Sequence, residues 1–300
     1  MRTAHMRGMR DPTQMQKIRH ALLLPIAALA ACFVGHSGAG AELTFGFTPV
    51  LGQSATQAEF DPLMEYLSGA IGQKFSLYVA KDYGDLRTMM ESGAVDVGSF
   101  SPFAYVDAAR DGKVRIIAQS LIDGSGTYRG LIVARRDSGL TSLADLAGKK
   151  FAFVDAKSAS GYVYPRAMLL EKGIRPDTVF SEVIFAGDHR KVIAAVLGRR
   201  VDAGAIYDGA IRIAKNAGAR TEDLVILAST DPIPHDAIAV RSGLDPVLVR
   251  RIQAALVGMV KTDAGRGLFA ASKKGLTGFA LAEDSLYDPV RRTARSADLR

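Results

Sequence analysis

Apolar residues recur along the chain at two different spacings. Phe60, Leu63, Leu67 and Ile71 lie three or four positions apart, which predicts an amphipathic helix. The stretch that follows, KFSLYVAKDY, alternates apolar and polar positions as a half-buried strand does. Strand patterns and helix patterns continue to alternate along the rest of the chain. This alternation predicts an α/β fold whose sheets are mostly parallel.

Two stretches of the chain share a local plan. GAVDVGSF at 93–100 and GRRVDAGAIY at 198–207 each follow a helix pattern that ends in glycine, and each carries a Val-Asp-x-Gly strand into a loop. The repetition predicts two lobes that are built alike and face each other. A chance match of so short a motif is the alternative.

The first 41 residues differ in character from the rest. Five basic residues precede an apolar stretch from Ala21 to Val34, which is short for a bilayer span, and Ala39-Gly40-Ala41 offers a small-x-small cleavage pattern. This order of segments predicts a secretory signal peptide over residues 1–41, with a membrane anchor or a buried helix as the alternative. We therefore expect an exported protein that resides in the periplasm.

Cys32, in the sequence Leu-Ala-Ala-Cys, is the only cysteine of the chain. This sequence resembles the bacterial lipobox, in which the cysteine is lipidated and becomes the mature N terminus. Two outcomes stay open for Cys32: lipidation, which would anchor the protein to a membrane, or removal with the leader. In both cases we expect a folded part without a disulfide, a thiolate nucleophile or a thiolate metal site.

Composition and charge narrow the functional classes. The 300 residues are 48% hydrophobic and 23% charged, which is ample material for a globular core. The net charge is +7, but the leader contains five basic residues and one acidic residue, so the remainder holds 33 basic and 30 acidic residues, a balance of +3. This mild balance, without a basic aromatic patch, argues against a nucleic-acid partner.

The sequence DAKSASGY places two serines and a glycine where a strand pattern gives way to a helix pattern. A helix N terminus exposes unpaired N–H groups and a partial positive charge, so it attracts anions. Ser158 and Ser160 add hydroxyl donors, Gly161 permits close backbone approach, and Pro165 places the helix start near residues 160–162. The turn predicts an anion site, and a plain serine N-cap is the alternative.

Two further side chains at strand ends are candidates for the same ligand. Asp188 is expected to cap a helix, which puts His189 in the first turn, where it can donate a hydrogen bond to an oxyanion. Asp208 follows another strand and would accept from a protonated ligand oxygen or an amine, unless it only caps the next helix. A metal site is not favoured, because His189 and His235 are the only histidines outside the leader.

Nine segments between residues 43 and 292 occur in an order that resembles one family. They are FGFTP, KDYGDL, VDVGSFSPFAYV, YRGLIVAR, SLADLAGKKFAFVDAKSASGY, AGDHRKVIAAV, VDAGAIYD, DPIPHDAIAV and YDPVR. In the order of these nine segments, the chain resembles the phosphonate/phosphite-type substrate-binding proteins of ATP-binding cassette importers. Proteins of that family have the type II periplasmic-binding-protein fold. An ordered set of motifs is more specific than any one loop.

The resemblance implies a fold and a site. The fold would have two α/β lobes joined by a two-stranded hinge, with residues 42–125 plus 237–300 in the first lobe and residues 126–236 in the second. The implied ligand-binding residues are Thr48, Tyr83, Phe100, Ser101, Ser158, Ala159, Ser160, Gly161, His189 and Asp208. Ala159 and Phe100 depart from the family pattern, which often has threonine at the first position and in some members tyrosine at the second.

The resemblance also implies a function. The protein would capture a phosphonate, a phosphite or a related small oxyanion and deliver it to an importer permease, as a monomer and without a cofactor. The alternative keeps the fold but makes the protein a ligand-presenting accessory of a membrane sensor kinase. An enzymatic role is disfavoured, because the sequence shows no activated nucleophile, nucleophile elbow or Walker A motif.

Overall fold

The structure is a computed structural model that describes residues 41–299. The predicted leader and Cys32 therefore lie outside the described residues. The strands are β1 (Leu43–Phe47), β2 (Phe75–Val79), β3 (Val97–Phe100), β4 (Val114–Ile122), β5 (Thr127–Tyr128), β6 (Gly130–Arg135), β7 (Lys150–Phe153), β8 (Glu182–Phe185), β9 (Ala203–Tyr207), β10 (Leu224–Ser229), β11 (Ile233–Pro234), β12 (Ala237–Arg241) and β13 (Leu276–Leu281).

Helices alternate with these strands over much of the described chain. They are α1 (Gln53–Ile71), α2 (Asp85–Glu91), α3 (Pro102–Ala109), α4 (Tyr164–Glu171), α5 (Pro176–Val179), α6 (His189–Leu197), α7 (Gly209–Asn216), α8 (Pro246–Gly258), α9 (Asp263–Ala271) and α10 (Asp288–Ser296), with a single π-helical turn at Ala159–Val163. The predicted α/β class is confirmed.

The strands form two main sheets, each of which is the centre of one lobe. The first lobe contains a six-stranded sheet in the order β13-β4-β12-β3-β1-β2, and the second lobe contains a five-stranded sheet in the order β10-β6-β9-β7-β8. Strands β5 and β11 form a separate antiparallel pair, with Tyr128 opposite Ile233 and Thr127 opposite Pro234. The chain therefore passes from one sheet to the other along this short ladder.

The sheets are mixed, whereas the sequence pattern predicted mostly parallel pairing. Four strand pairs are parallel: β1 with β2 and β3, and β7 with β8 and β9. Within the two main sheets, five pairs are antiparallel, and each of them involves β4, β6, β10 or β12. These four strands flank the passages between the lobes. A helical crossover within one sheet makes neighbouring strands parallel, but a chain that arrives from the other lobe has no such constraint.

The apolar core is divided into separate clusters, and one of them extends across both lobes. In the first lobe, Phe47 stacks on Phe60 of α1, with ring centroids 4.1 Å apart, to form part of that lobe's own core. A second cluster joins Phe103 of α3, Val163 at the end of the π turn and Val290 of α10. Helix α10 packs against both α3 and α4. The C-terminal helix thus contacts both lobes close to the π turn.

Of the helices in residues 41–299, none is both long enough and apolar enough to span a bilayer.

Candidate functional site

A cavity of about 240 Å³ lies where the two lobes and the β5–β11 ladder meet. Six of the ten predicted ligand-binding residues line it: Tyr83, Ser101, Ser158, Ser160, His189 and Asp208. These residues come from loops that are far apart in the sequence, and each loop follows or adjoins a strand end. The structure therefore brings together side chains that the sequence grouped only by their position after strands.

The other four predicted residues, Thr48, Phe100, Ala159 and Gly161, do not line the cavity. The Thr48 hydroxyl donates to the Ser99 carbonyl and accepts from the Ser101 N–H, at 3.1 and 3.3 Å, so Thr48 holds the Ser101 loop. The side chains of Phe100 and Ala159 are buried in the apolar cluster that spans both lobes. Thr48 and Gly161 adjoin lining residues and support them.

The π turn at Ala159–Val163 presents hydrogen-bond donors to the cavity. The N–H of Val163 donates to the Ser158 carbonyl at 3.0 Å, five residues back, which opens the turn more widely than an α-helix does. Among residues 41–299, no backbone or side-chain acceptor takes a hydrogen bond from the N–H groups of Ala159 and Ser160. A turn of this kind is able to bind an anion through its amides.

Ser158 acts as a cap and keeps a donor. Its Oγ accepts a hydrogen bond from the N–H of Gly161 at 3.1 Å, and the side chain is 1% exposed. A hydroxyl that accepts in this way still carries its own hydrogen, so Ser158 can donate to a ligand. The cap interpretation and the anion interpretation of this serine are therefore compatible. The predicted helix start near residues 160–162 falls inside the π turn, and regular α-helix follows from Tyr164.

His189 presents a neutral imidazole to the cavity. Its Nδ1 accepts the backbone N–H of Tyr207 at 3.1 Å, so the ring hydrogen resides on Nε2. Burial, assisted by the positive charge of Lys274, lowers the pKa of His189 to about 3. As predicted, Asp188 caps α6, accepting from the Lys191 N–H at 2.9 Å. His189 is therefore a hydrogen-bond donor and not a cation at neutral pH.

Two phenol groups in the cavity have unused hydroxyls. The hydroxyls of Tyr83 and Tyr207 are buried, and neither makes a hydrogen bond to another described residue. Burial raises the pKa of both phenols above the ordinary value, so both keep their hydrogen. A buried hydroxyl without a partner is unfavourable by about 1–3 kcal/mol, which makes these groups candidates for contact with a bound molecule.

The charged groups of the cavity are mostly paired with one another. Lys274 Nζ lies 2.5 Å from Asp236 Oδ2, and both residues are less than one tenth exposed. Arg212 Nη2 lies 3.1 Å from Asp123 Oδ2 at the more exposed side of the cavity. The Asp208 carboxylate accepts the N–H groups of Arg129 and Gly209, at 3.0 and 2.8 Å. The groups left for a ligand are thus mainly neutral donors and the remaining lone pairs of Asp208.

The cavity is also lined by Tyr128, His235 and Lys274, which were not among the predicted ligand-binding residues. Tyr128 stacks on His235 with ring centroids 4.8 Å apart, and burial lowers the pKa of His235 to about 4. Tyr128 belongs to the ladder, while Lys274 precedes β13. The position of His235 after a strand was the one available signal, because no local pattern indicates that Tyr128 or Lys274 faces a cavity.

The family model described as ABC transporter, phosphonate, periplasmic substrate-binding protein matches residues 45–287. The chain belongs to this family. Among curated relatives, the phosphate-import protein PhnD of Mycolicibacterium smegmatis is 30% identical over 268 residues, which covers 83% of this chain and 84% of the relative. The chain is thus a periplasmic phosphonate substrate-binding protein, the solute-binding component of an ATP-binding cassette importer.

Two solved structures show the same fold. The binding-protein component of an ABC phosphonate transporter from Pseudomonas aeruginosa has a TM-score of 0.80 at 19% identity and covers 86% of each chain. PhnD1 from Prochlorococcus marinus, solved with methylphosphonate, has a TM-score of 0.78 at 20% identity and covers 86% of this chain and 98% of its own. The two-lobed arrangement of this phosphonate-binding protein is therefore that of known members of the class.

Acid is expected to destabilise the protein well above the pH at which carboxylates titrate. His189 and His235 have folded-state pKa values of about 3 and about 4, below the unfolded value near 6.5. The unfolded chain therefore binds more protons as the pH falls below 6.5, and stability is lost from there toward the folded pKa. We expect the free energy of unfolding to fall by about 2 kcal/mol per histidine between pH 7 and pH 5.

Urea unfolding of protein from the periplasmic fraction, at half-unit steps from pH 7.5 to pH 5, measures this loss. The His235→Gln variant is expected to show about half of the wild-type slope against pH. A wild-type stability that stays flat between pH 7 and pH 5 would show that the two imidazoles are readily protonated in the folded protein.

Proposed function

We propose that the cavity binds a small phosphonate, phosphite or related oxyanion, with the π turn as the anion-binding element. The observation that supports this most directly is that several hydrogen-bond donors without a partner line one cavity. They are the amides of Ala159 and Ser160, the hydroxyls of Ser158, Tyr83 and Tyr207, and the Nε2–H of His189. Donors from several directions suit a tetrahedral anion, because each ligand oxygen can accept more than one hydrogen bond.

The charges of the cavity favour a ligand of low charge. The cavity is lined by three carboxylates, those of Asp123, Asp208 and Asp236. It is lined by only two cations, Arg212 and Lys274. His189 is neutral and adds no positive charge. A doubly charged anion would find no unpaired cation in the cavity to interact with. An anion that keeps one proton can instead donate that hydrogen to an acceptor. Asp208 is the acceptor that we propose for that hydrogen, or for an amine carried by the ligand.

The cavity is larger than an inorganic oxyanion requires. Its volume of about 240 Å³ is many times the roughly 10–15 Å³ that one bound water requires, so the cavity has room beyond a four-oxygen anion. The rings of Tyr128 and His235 also line this space. We infer that the preferred ligand has a short organic substituent on phosphorus, directed at these two rings. The family membership of the chain favours import over the sensor-kinase role.

The lobe boundaries and the state of the exported chain are part of the same proposal. The β5–β11 ladder supports a hinge between a first lobe of residues 42–125 plus 237–300 and a second lobe of 126–236. We propose a periplasmic monomer that docks on an importer permease. Mass spectrometry of the exported protein distinguishes a lipid on Cys32 from cleavage after Ala41.

The test of the function is ligand-dependent stabilisation of the periplasmic protein. Methylphosphonate, aminoethylphosphonate, phosphite, phosphate, sulfate and an alkylsulfonate are added one at a time in thermal unfolding. A ligand at 100 times its Kd stabilises the folded state by about 2.7 kcal/mol, so binding gives a clear shift in Tm. The proposal expects the largest shift with an organophosphonate. No shift with any phosphorus oxyanion would contradict it.

The Tyr83→Phe variant makes this test specific to the cavity. Removing a buried hydroxyl that lacks a partner is expected to raise the stability of the free protein by about 1 kcal/mol. The same change removes a donor to the ligand, so the affinity for methylphosphonate is expected to fall by about tenfold. We therefore expect unfolding without ligand to show a higher stability, and calorimetric titration with methylphosphonate to show a lower affinity. A lower stability with unchanged affinity would place the hydroxyl in the core and not at the ligand.

A further inference from the structure

An ion pair joins the two lobes beside the anion-binding turn. Lys157 Nζ, in the second lobe, lies 2.6 Å from Asp107 Oδ2 of α3, in the first lobe. The Asp107 side chain is 10% exposed and the Lys157 side chain is 35% exposed. Partial burial makes a pair of this kind stronger than one in open solvent. Lys157 directly precedes Ser158 in the chain.

Helix α3 contacts Lys157 at both of its ends. Asp107 lies near the end of α3 and accepts from the Lys157 ammonium, while Ser101, the residue before α3, donates through Oγ to the Lys157 carbonyl at 3.4 Å. The N–H of Lys157 donates within its own loop, to Asp155 Oδ1 at 2.8 Å. The ammonium and the carbonyl of Lys157 therefore both contact the first lobe, while its N–H is held within its own loop.

The first lobe is arranged so that this contact can break and re-form. Arg87 of α2 also contacts the Asp107 carboxylate, with Nη1 3.3 Å from Oδ2, and Arg110 lies 3.7 Å from Oδ1. Both arginines belong to the first lobe. If the lobes separate, Asp107 loses Lys157 but keeps cationic partners, so opening leaves no lone buried carboxylate. The largest cost of breaking a buried ion pair is the charge left buried without a partner, and that cost does not arise here.

We propose that Lys157 is a positioning residue that couples lobe closure to the anion-binding turn. When the lobes close, Asp107 and Ser101 fix Lys157, and Lys157 in turn fixes the backbone from which Ser158 and the free amides project. When they open, that backbone loses its external support and releases the ligand. The coupling to a ligand rests on the proposed function, but the contact between the lobes does not.

The test compares Lys157→Met with a matched control. Lys150→Met removes a lysine whose ion pair with Glu182, at 2.8 Å, lies entirely within the second lobe. For Lys157→Met we expect the affinity for methylphosphonate, phosphite and phosphate to fall by one common factor of about 3 to 30, mainly through faster dissociation. The same factor is expected for all three ligands, because the substitution changes the closure of the lobes and not a contact with any one ligand. Lys150→Met is expected to bind as the wild type does.

A second variant guards against a simple folding defect. Asp107→Asn breaks the same pair from the other lobe, and Arg87 retains Glu91 and Asp111 as partners. The double variant is expected to bind no more weakly than either single variant, because both remove one interaction. Additive losses, or an affinity equal to wild type in both single variants, would overturn the proposal.

A distance measurement separates this proposal from the proposed function. Spin labels on cysteines introduced at Glu65 of the first lobe and Lys215 of the second report lobe separation in the free protein, with Cys32 absent or replaced by serine. Both labelled positions are exposed. The Lys157→Met variant is expected to show more of the longer distance, even if no probe ligand binds the wild type. Identical distance distributions in wild type and variant would overturn the proposal.

Discussion

Replacing both Ser158 and Ser160 with alanine is expected to weaken methylphosphonate binding by a factor of about 10² to 10⁴. Each hydroxyl lost to a charged ligand is worth about 1.5–3 kcal/mol, and each 1.4 kcal/mol is a factor of ten. The change at Ser158 has a second effect, because the N–H of Gly161 loses its acceptor at 3.1 Å. The amides of the turn then lose part of their alignment as well.

Isothermal titration calorimetry with methylphosphonate measures this loss, and urea unfolding measures the stability of the same preparations. Ser296→Ala is the control, since this serine lies on the exposed surface of α10, away from the cavity. We expect the control to bind as the wild type does. An affinity within threefold of wild type in the double variant would mean that the ligand does not contact the start of the π turn.

The turn at Ala159–Val163, with its free N–H groups, could be predicted because its signals are local. A strand that ends in Ser-Ala-Ser-Gly and leads into a helix with an early proline restricts the backbone enough to identify a helix N terminus. Sequence reasoning treated the capping and the ligand-binding roles of Ser158 as alternatives. The structure shows the capping role, because Oγ accepts from the Gly161 N–H, and the hydroxyl hydrogen stays available for the proposed ligand.

The contribution of Tyr128, His235 and Lys274 to the cavity could not be predicted, because it depends on pairing between distant segments. Tyr128 and His235 meet through the β5–β11 ladder, which joins segments about a hundred residues apart. Lys274 faces Asp236 because the chain turns there before β13 enters the sheet beside β4. Nothing in the local periodicity around Lys274 distinguishes it from a surface lysine.

The mixture of parallel and antiparallel strand pairs could not be predicted for the same reason. Periodicity distinguishes strands from helices but does not reveal where the chain changes lobe, so the alternation of elements predicts mostly parallel pairing. The two departures from the family pattern are also clarified by the fold. Ala159 and Phe100 place their side chains in the apolar cluster, so hydroxyls for the ligand have to come from other positions, and Tyr83 and Tyr207 offer two.

Replacing Gly161 with alanine is expected to lower the affinity for methylphosphonate by at least about 100-fold and to destabilise the protein. A Cβ at this position would lie 2.4 Å from Val154 Cγ2, 2.5 Å from Val154 Cβ and 2.8 Å from Ser158 Oγ. The turn cannot yield easily, because its Gly161 carbonyl accepts the Val154 N–H at 3.1 Å. Overpacking of this kind costs about 1–3 kcal/mol of stability. The displaced turn would misalign at least two donors, each worth about 1.5–3 kcal/mol to a charged ligand.

Gly69→Ala is the matched control for that substitution. Gly69 lies in α1, and a Cβ added there meets no atom within 4 Å. Alanine is more favourable than glycine in a helix by about 0.5–1 kcal/mol, so this variant is expected to gain stability and to bind normally. The two glycines thus separate crowding at the turn from a general effect of adding a methyl group. If Gly161→Ala retains wild-type affinity, the close packing of the turn on Val154 is not what orients the donors. The ligand would then have to depend on His189 and the tyrosines instead.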